Sequence, residues 1–209
     1  MANDREDSSV SREIQALEQQ LEARDPDVRL MVRVRNDDPG AFEELVERYQ
    51  NRLVGILFHL VGSKEEAEDL CQEVFLRIYK ARKGYRARAK FATWLFTIAN
   101  NLALNYLRRK GRQPSISLGA GSGSQAIVPI GREGTPSAQM RKAELSDVVR
   151  DALATLNEDQ KIAVLLNKFE DMSYAEIADV MNRSPEAIKS LLARARNQLR
   201  EQLTPYLGG

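Results

Sequence analysis

Two stretches of helical periodicity, separated by a segment rich in glycine and proline, constrain the fold of this chain most. Apolar residues recur every three or four positions in the first half, as at Leu45, Tyr49 and Leu53, and the same spacing returns near the end. The segment between them is too rich in glycine and proline to build a packed element. The sequence therefore predicts an all-α fold, with two small helical domains joined by a flexible linker.

The expected domain boundaries follow these changes in composition. We expect an N-terminal charged extension at 1–26, a first helical domain at 27–112, a linker at 113–137 and a second helical domain at 138–209. Four apolar residues of the extension have helical spacing: Val10, Ile14, Leu17 and Leu21. This pattern fits either a loosely attached helix or a mostly disordered arm.

Capping residues predict where several helices begin. Asp38 and Pro39 are suited to the N-cap and first turn of one helix. Ser63 has capping-box spacing to Glu66 and follows Gly62, which can end the preceding helix.

The stretch 174–196 predicts helix, tight turn, helix. Ser173 and Glu176 form a capping-box pattern at the first helix, and Pro185 suits the first position of the second. The second helix commits one face to a core, at Ile188, Leu191, Leu192, Ala195 and Leu199. Small and basic residues are left on the other face, which suits a helix in the DNA major groove. A plain helical hairpin has the same core pattern, so both interpretations stay open at this point.

The distribution of charge is uneven although the net charge is only +1. No acidic residue occurs between Glu73 and Glu133, whereas the segment before Glu73 is acidic. Such polarisation favours two surfaces for two kinds of partner, one of them polyanionic. A solvated charged face is the simpler alternative.

The sequence lacks the residues that several classes of function require. Cys71 is the single cysteine, which excludes an internal disulfide and suits a reducing compartment. His59 is the single histidine and we expect it to be structural; there is also no phosphate-binding glycine loop or cluster with metal-ligand spacing. We predict no catalytic residues, no metal and no cofactor, hence no enzyme. Since neither a signal peptide nor a membrane-spanning segment is visible, we expect a cytoplasmic protein.

Two parts of the sequence resemble a known family. "LNEDQKIAVLLNKFEDMSYAEIADVMNRSPEAIKSLLARARNQLRE" resembles the fourth region of bacterial RNA polymerase sigma factors. "DPGAFEELVERYQNRL", "EEAEDLCQEVFLRIYK" and "FATWLFTIANNLALNYLRRKGR" resemble their second region. With only these two regions, the chain is similar to the extracytoplasmic function (ECF) subfamily of the sigma-70 family.

The resemblance implies a function: the chain would bind core RNA polymerase, recognise and open a promoter, and start transcription. It implies three partners, namely the clamp of the largest core subunit, promoter DNA and, for some members, an anti-sigma factor. The residues it assigns to core binding are Asp69, Gln72, Glu73 and Arg77.

The resemblance places the promoter's −10 element on the acid-free segment. The basic loop would capture a flipped base of the non-template strand, and the next helix would line that strand; basic residues interleaved with aromatics and amides also suit an unstacked strand. Two roles stay open for Trp94, packing in the core and facing the DNA, and a large ring can do both. The residues implied are Tyr85, Arg86, Arg88, Lys90, Trp94, Asn100, Asn101, Asn105, Tyr106, Arg108, Arg109, Lys110 and Arg112.

The resemblance places the −35 element on the helix-turn-helix. The residues implied are Arg183, Ser184, Glu186, Ala187, Lys189, Ser190, Arg194 and Arg196. Leu191 stands where many members carry an arginine, and Glu186-Ala187 replaces a common Gly-Thr, so no particular upstream sequence can be transferred. An autonomous helix-turn-helix regulator and a nucleic-acid enzyme are the alternatives. A regulator would not need the docking helix or the strand-binding helix, and an enzyme would need a site that the sequence lacks.

Overall fold

A computed structural model of the chain describes residues 15–112 and 147–207. The predicted all-α fold is confirmed, because this part of the chain forms helices and turns without any strand. The helices are α1 (15–24), α2 (Pro26–Arg35), α3 (Ala41–Val61), α4 (Lys64–Ala81), α5 (Phe91–Arg112), α6 (147–154), α7 (Glu158–Phe169), α8 (Tyr174–Met181) and α9 (Pro185–Leu207), with a short 3-10 turn at Arg82–Gly84. The predicted linker and the first part of the extension lie outside the described residues. None of the described helices combines the length and the apolar run that crossing a bilayer requires.

The first group of helices, α1 to α5, surrounds a core in which α3 and α4 make the most extensive contact. The side chains of Tyr49, Leu53 and Phe91 are almost fully buried, and the Tyr49 and Phe91 rings meet edge to face at 5.2 Å between centroids. The Tyr49 hydroxyl donates a hydrogen bond to Asp27 at the start of α2. Burial of large apolar side chains is the main stabilising term here.

The helix ends correct one prediction and refine another. α3 begins at Ala41 rather than at Asp38 and Pro39, because Gly40 adopts a left-handed conformation (φ 80°) at the N-cap. The Asp38 carboxylate instead accepts a hydrogen bond from Arg33 Nε at 2.8 Å. At α4 only half of the predicted capping box forms: Ser63 Oγ accepts from the Glu66 amide at 3.4 Å, while the Glu66 carboxylate binds Lys110 Nζ at 3.0 Å.

The second group, α6 to α9, contains the predicted helix-turn-helix. The capping box of Ser173 and Glu176 is confirmed, and α9 begins at Pro185 as expected. Asn182 ends α8 in the left-handed conformation (φ 51°), which reverses the chain within three residues. Ile188, Leu191, Leu192 and Ala195 are buried, as predicted, and Leu199 is partly buried.

The two groups pack against each other through α5 with α8 and α3 with α7. Arg52 of α3 forms an ion pair with Glu170, whose side chain is almost fully buried. The His59 ring stacks on Phe169 with 6.1 Å between centroids. This contact brings α8 against α5, which carries part of the surface predicted to bind DNA.

Candidate nucleic-acid interface and docking surface

The four residues predicted to bind core polymerase lie on one outward stripe of α4. Asp69 and Gln72 are exposed, and Glu73 is half-buried. Arg77 Nε donates to Glu73 Oε1 at 2.8 Å, one helical turn away. The stripe therefore offers two carboxylates, an amide and one paired guanidinium to a partner.

Two apolar residues on the same helix complete this surface, and the sequence reasoning missed both. Leu76 and Tyr79 are 44% and 43% exposed, which is unusual for large apolar side chains. They line a groove of about 670 Å³ between α4 and the α2–α3 turn. Arg82 holds its guanidinium 4.0 Å from the Tyr79 ring centroid, and Phe42 packs on the other side at 4.9 Å. Leu76 and Tyr79 lie four and seven positions after Gln72, so they share its helix face. This spacing is the sequence signal from which both could have been predicted.

The basic loop between the 3-10 turn and α5 alternates between buried and exposed residues. Tyr85 and Ala87 are 4% and 1% exposed, whereas Arg86, Arg88 and Lys90 point to solvent. Alternation of this kind turns every second side chain outward, so all three cations emerge on one side. The loop borders a groove of about 830 Å³ that Trp94, Thr97 and Asp179 also line.

Tyr85 is placed differently from what its predicted DNA role requires. Its ring is buried beside Trp94, at 4.9 Å between centroids, and its hydroxyl has no hydrogen-bond partner among residues 15–112 and 147–207. Burial raises the pKa of the Tyr85 hydroxyl. Trp94 is half-buried, meets Phe91 at 6.0 Å and also lines the groove. Tyr85 thus packs beneath the loop, and Trp94 packs in part while it stays accessible from the groove; its predicted contact with DNA remains a prediction.

The strand-lining residues of α5 divide into free and engaged groups. Asn101, Asn105, Arg108 and Arg109 are exposed. Asn100 is only 7% exposed, and its Nδ2 donates to the Val180 carbonyl of α8 at 3.4 Å. Its Oδ1 accepts no hydrogen bond from any residue that the structure describes. The predicted DNA contact of Asn100 is therefore blocked in this arrangement, because α8 covers it.

Three other predicted strand contacts have intramolecular partners. Lys90 Nζ binds Glu176 Oε1 of α8 at 2.8 Å. Lys110 Nζ binds Glu66 and lies 5.5 Å from the centroid of the half-buried Tyr106 ring. The side chain of Arg112 lies outside the described part of the structure. One cation at each end of this predicted face, Lys90 and Lys110, is thus paired with an acid of the same chain.

The outward face of α9 is open. Glu186, Lys189, Ser190 and Arg194 are exposed, and Ala187 is half-buried. Arg194 Nε donates only to the Ser190 carbonyl of its own helix, at 3.4 Å. No carboxylate lies within ion-pair distance of Lys189 or Arg194 among the described residues. This face presents small and hydrogen-bonding side chains early in the helix and a cation later, as a major-groove reader requires.

The remaining predicted upstream contacts serve the local structure. Ser184 Oγ accepts from the Ala187 amide at 3.2 Å and so caps α9. Arg183 forms an ion pair with Asp159 of α7. Arg196 is exposed and donates to the Leu192 carbonyl at 3.2 Å and towards the Tyr174 hydroxyl at 3.5 Å. These contacts connect α9 and the turn before it to α7 and α8.

The isolated titratable groups form no reactive site. Burial raises the pKa of the Cys71 thiol to about 12, and its Sγ lies 3.9 Å from the Gln50 carbonyl oxygen. Burial and the charges of Lys161 and Arg150 lower the pKa of His59. Within residues 15–112 and 147–207 no cluster of histidine, cysteine or acidic side chains could hold a metal ion.

Comparison with known proteins gives the family. The family description "Sigma-70 region 2" matches residues 45–113, and "Sigma-70, region 4" matches residues 146–199. The ECF RNA polymerase sigma-E factor of Haemophilus influenzae is 34% identical over 184 residues, covering 87% of this chain and 97% of that protein. The RNA polymerase sigma-H factor of Pseudomonas aeruginosa is also 34% identical, covering 87% and 95%.

A solved structure agrees in overall arrangement. The sigma factor RpoE of Bartonella quintana, solved in complex with the anti-sigma factor NepR, is 26% identical and matches 79% of this chain with a TM-score of 0.64. The chain belongs to the sigma-70 family of RNA polymerase sigma factors, in its extracytoplasmic function group. Such proteins are regulatory factors that act in promoter recognition and transcription initiation, and this is the function of the chain.

Proposed function

We propose that this sigma factor divides promoter recognition among three surfaces. The exposed stripe of α4 docks on core RNA polymerase, the loop Tyr85–Lys90 with α5 captures the melted strand, and the outward face of α9 reads duplex DNA. The observation that carries the proposal is their separation: an acidic and apolar stripe on α4, an acid-free loop on the same domain, and an open basic helix face on the other. The same division supports domains at 27–112 and 138–209.

Each surface suits the chemistry assigned to it. The α4 stripe combines carboxylates with Leu76 and Tyr79, so a partner that is basic and apolar fits it. The strand-capture loop, residues Tyr85–Lys90, presents three cations beside an indole, which suits phosphates and an unstacked base. Helix α9 carries Lys189 and Arg194 beyond Glu186 and Ser190, which suits phosphate positioning with base contacts from the first turn.

The proposal includes the order of events. Lys90 and Asn100 are engaged by α8, so strand capture follows separation of the two domains. We further propose that the chain works in the cytoplasm, without a catalytic site or cofactor of its own. A protein partner that holds the two domains together, as anti-sigma factors would, would keep the strand-capture face covered.

Co-purification with core polymerase tests the docking surface. Reversing two charges, Asp69→Arg with Glu73→Arg, should abolish binding to core enzyme and run-off transcription while circular dichroism stays unchanged. The matched control, Asp151→Arg with Glu201→Arg, makes the same charge change on exposed residues of the second domain and should leave co-purification intact. Unchanged co-purification of the first variant would refute the docking assignment. Promoter DNA binding that is equally tight with and without core enzyme would instead favour the autonomous regulator.

A further inference from the structure

The backbone of the strand-capture loop depends on side chains from the N-terminal helices. The loop belongs to no helix, so its buried amides and carbonyls need partners from elsewhere. Three such partners come from the first helices: Arg35 Nη1 donates to the Tyr85 carbonyl at 3.2 Å, Glu18 Oε1 accepts from the Ala87 amide at 3.5 Å, and Asp25 Oδ2 accepts from the Phe91 amide at 3.0 Å. They contact the start and the middle of the loop and the first residue of α5, which directly follows it.

Two of these side chains are bonded to each other, and the third caps a helix. Arg35 Nη1 donates to Glu18 Oε1 at 2.9 Å, and both side chains are mostly buried, at 21% and 16% exposed. The second oxygen of Asp25 accepts from the Asp27 amide at 2.8 Å and thereby caps α2. One carboxylate therefore joins the start of α2 to the start of α5.

We propose that Glu18 and Asp25 are positioning residues for strand capture, because they hold the loop in the conformation that turns Arg86, Arg88 and Lys90 outward. Neither residue contacts DNA; each acts through the loop backbone. The inference rests on the proposed function of the loop. It also assigns a task to α1, the described part of an N-terminal extension that the sequence left as a helix or a disordered arm.

The alternation of the loop explains why its backbone must be held. A rotation of one peptide unit would turn a buried position outward and an exposed cation inward, as a one-residue slip does in a strand. The Ala87 and Phe91 amides lie at the two positions that bracket Arg88 and Lys90. When both amides are bonded, the three cations stay on the groove side without the entropic cost of ordering a free loop at the moment of capture.

Hydrogen exchange and promoter opening together test the inference. In the full chain with core polymerase, Glu18→Ala combined with Asp25→Ala should speed exchange of the Ala87 and Phe91 amides. It should lower the rate of open-complex formation on a linear duplex about fivefold, the effect expected when two modest hydrogen bonds are lost. Co-purification with core enzyme and binding of upstream duplex DNA should not change.

Two further variants separate positioning from folding. Glu22→Ala removes a carboxylate from the same helix, α1. The Glu22 carboxylate makes no hydrogen bond among the described contacts, so this variant should behave as wild type. Glu18→Gln keeps an accepting oxygen and should recover most of the opening rate that Glu18→Ala loses. Since Asp25 also caps α2, the Glu18→Ala single variant, checked by circular dichroism, decides the matter if the double variant is poorly folded.

The outcomes distinguish this inference from the proposed function. If Arg86, Arg88 and Lys90 all changed to Ser without any loss of opening, the role of the loop would fail and the positioning role with it. If that triple variant were defective but Glu18→Ala opened promoters at the wild-type rate, the loop would capture DNA without needing this support. That second result would overturn the positioning role alone.

Discussion

The two surfaces proposed for DNA differ in how much the chain itself occupies them. Helix α9 presents Lys189 and Arg194 with no acidic partner in the described structure, and its outward face is open to solvent. The strand-binding face is engaged at several points: Lys90 by Glu176, Asn100 by the Val180 carbonyl and Lys110 by Glu66. The surface proposed for duplex reading is thus accessible in this arrangement, whereas the surface proposed for strand capture is partly covered.

The difference follows from the chemistry of the two targets. A duplex offers phosphates at fixed spacing, and exposed cations on a rigid helix can meet them without rearrangement. An unpaired strand offers bases that have to be stacked and hydrogen-bonded, so the site needs buried aromatic support and amides. Amides and aromatics of this kind are also suitable partners for the other domain. The same composition that suits a melted strand therefore suits an intramolecular contact.

The largest expected effect comes from removing the cations of the loop. Changing Arg86, Arg88 and Lys90 together to Ser should reduce open-complex formation on a linear duplex by about tenfold or more, since captured bases are worth about 1–3 kcal/mol each. Permanganate footprinting measures the opened strand. A template with a pre-melted bubble should restore much of the activity, because the opening step is already complete.

The control for this variant changes three exposed cations that are not among the predicted DNA contacts, Arg24, Lys64 and Lys168, each to Ser. It should open promoters normally. If the loop variant failed equally on bubble and duplex templates, the loop would supply general electrostatic attraction and the contrast with α9 would disappear.

A smaller effect is expected on the open surface. Lys189→Ala with Arg194→Ala should weaken binding to upstream duplex DNA about fivefold and reduce the salt-dependence slope by about 1.8, because two phosphate contacts are lost. Affinities measured over a range of salt concentrations give the slope. The same control triple should lower the slope much less. A main defect in strand opening rather than in duplex binding would mean that the two surfaces are assigned the wrong way round.

The helices that carry both surfaces could be predicted from the sequence, but the intramolecular contacts that cover part of one surface could not. Helical periodicity predicted the buried face of α9, including Ile188 and Ala195, because each core position is three or four residues from the next. Lys90 pairs with Glu176, and Asn100 bonds to Val180, which is 80 positions further along the chain. No local sequence pattern encodes contacts between residues so far apart. Asp38 was wrong as a cap because the sequence pattern does not show that Gly40 takes the left-handed turn.

A third effect tests the covering of the strand face directly. Partial burial would raise the pKa of Glu176, but its bonds from Lys90 and Ser173 outweigh burial and lower that pKa, so the residue carries its charge at neutral pH. Glu176→Gln removes that charge yet keeps an oxygen for the α8 cap. The free protein should then bind a single-stranded oligonucleotide about threefold more tightly, since an exposed or partly exposed ion pair contributes less than about 1 kcal/mol.

Glu158→Gln removes the same charge from an exposed position in the first turn of α7 and is the control. It should change single-strand affinity by much less. Equal gains in both variants would show that only net charge matters, and the ion pair between Lys90 and Glu176 would then have no part in covering the strand face.

The smallest effect reports whether the two domains are in contact in solution. His59 of α3 stacks on Phe169 of α7, and burial together with the nearby charges of Lys161 and Arg150 lowers the pKa of His59. Because the contact favours neutral histidine, its full contribution is present above the unfolded pKa of about 6.5 and declines as the pH falls towards the lower folded value. The single histidine gives one set of imidazole NMR signals, whose titration should have a midpoint below about 6.5.

Phe169→Ala should move that midpoint towards about 6.5, because it exposes the ring to water and relieves the burial that disfavours the cation. Tyr206→Ala removes an aromatic side chain that is 65% exposed and should not move it. If the wild-type midpoint were about 6.5 and Phe169→Ala did not change it, α3 and α7 would be apart in solution. The strand-binding face would then be as open as α9 before polymerase arrives, and the conditional access inferred from Lys90 and Asn100 would have to be abandoned.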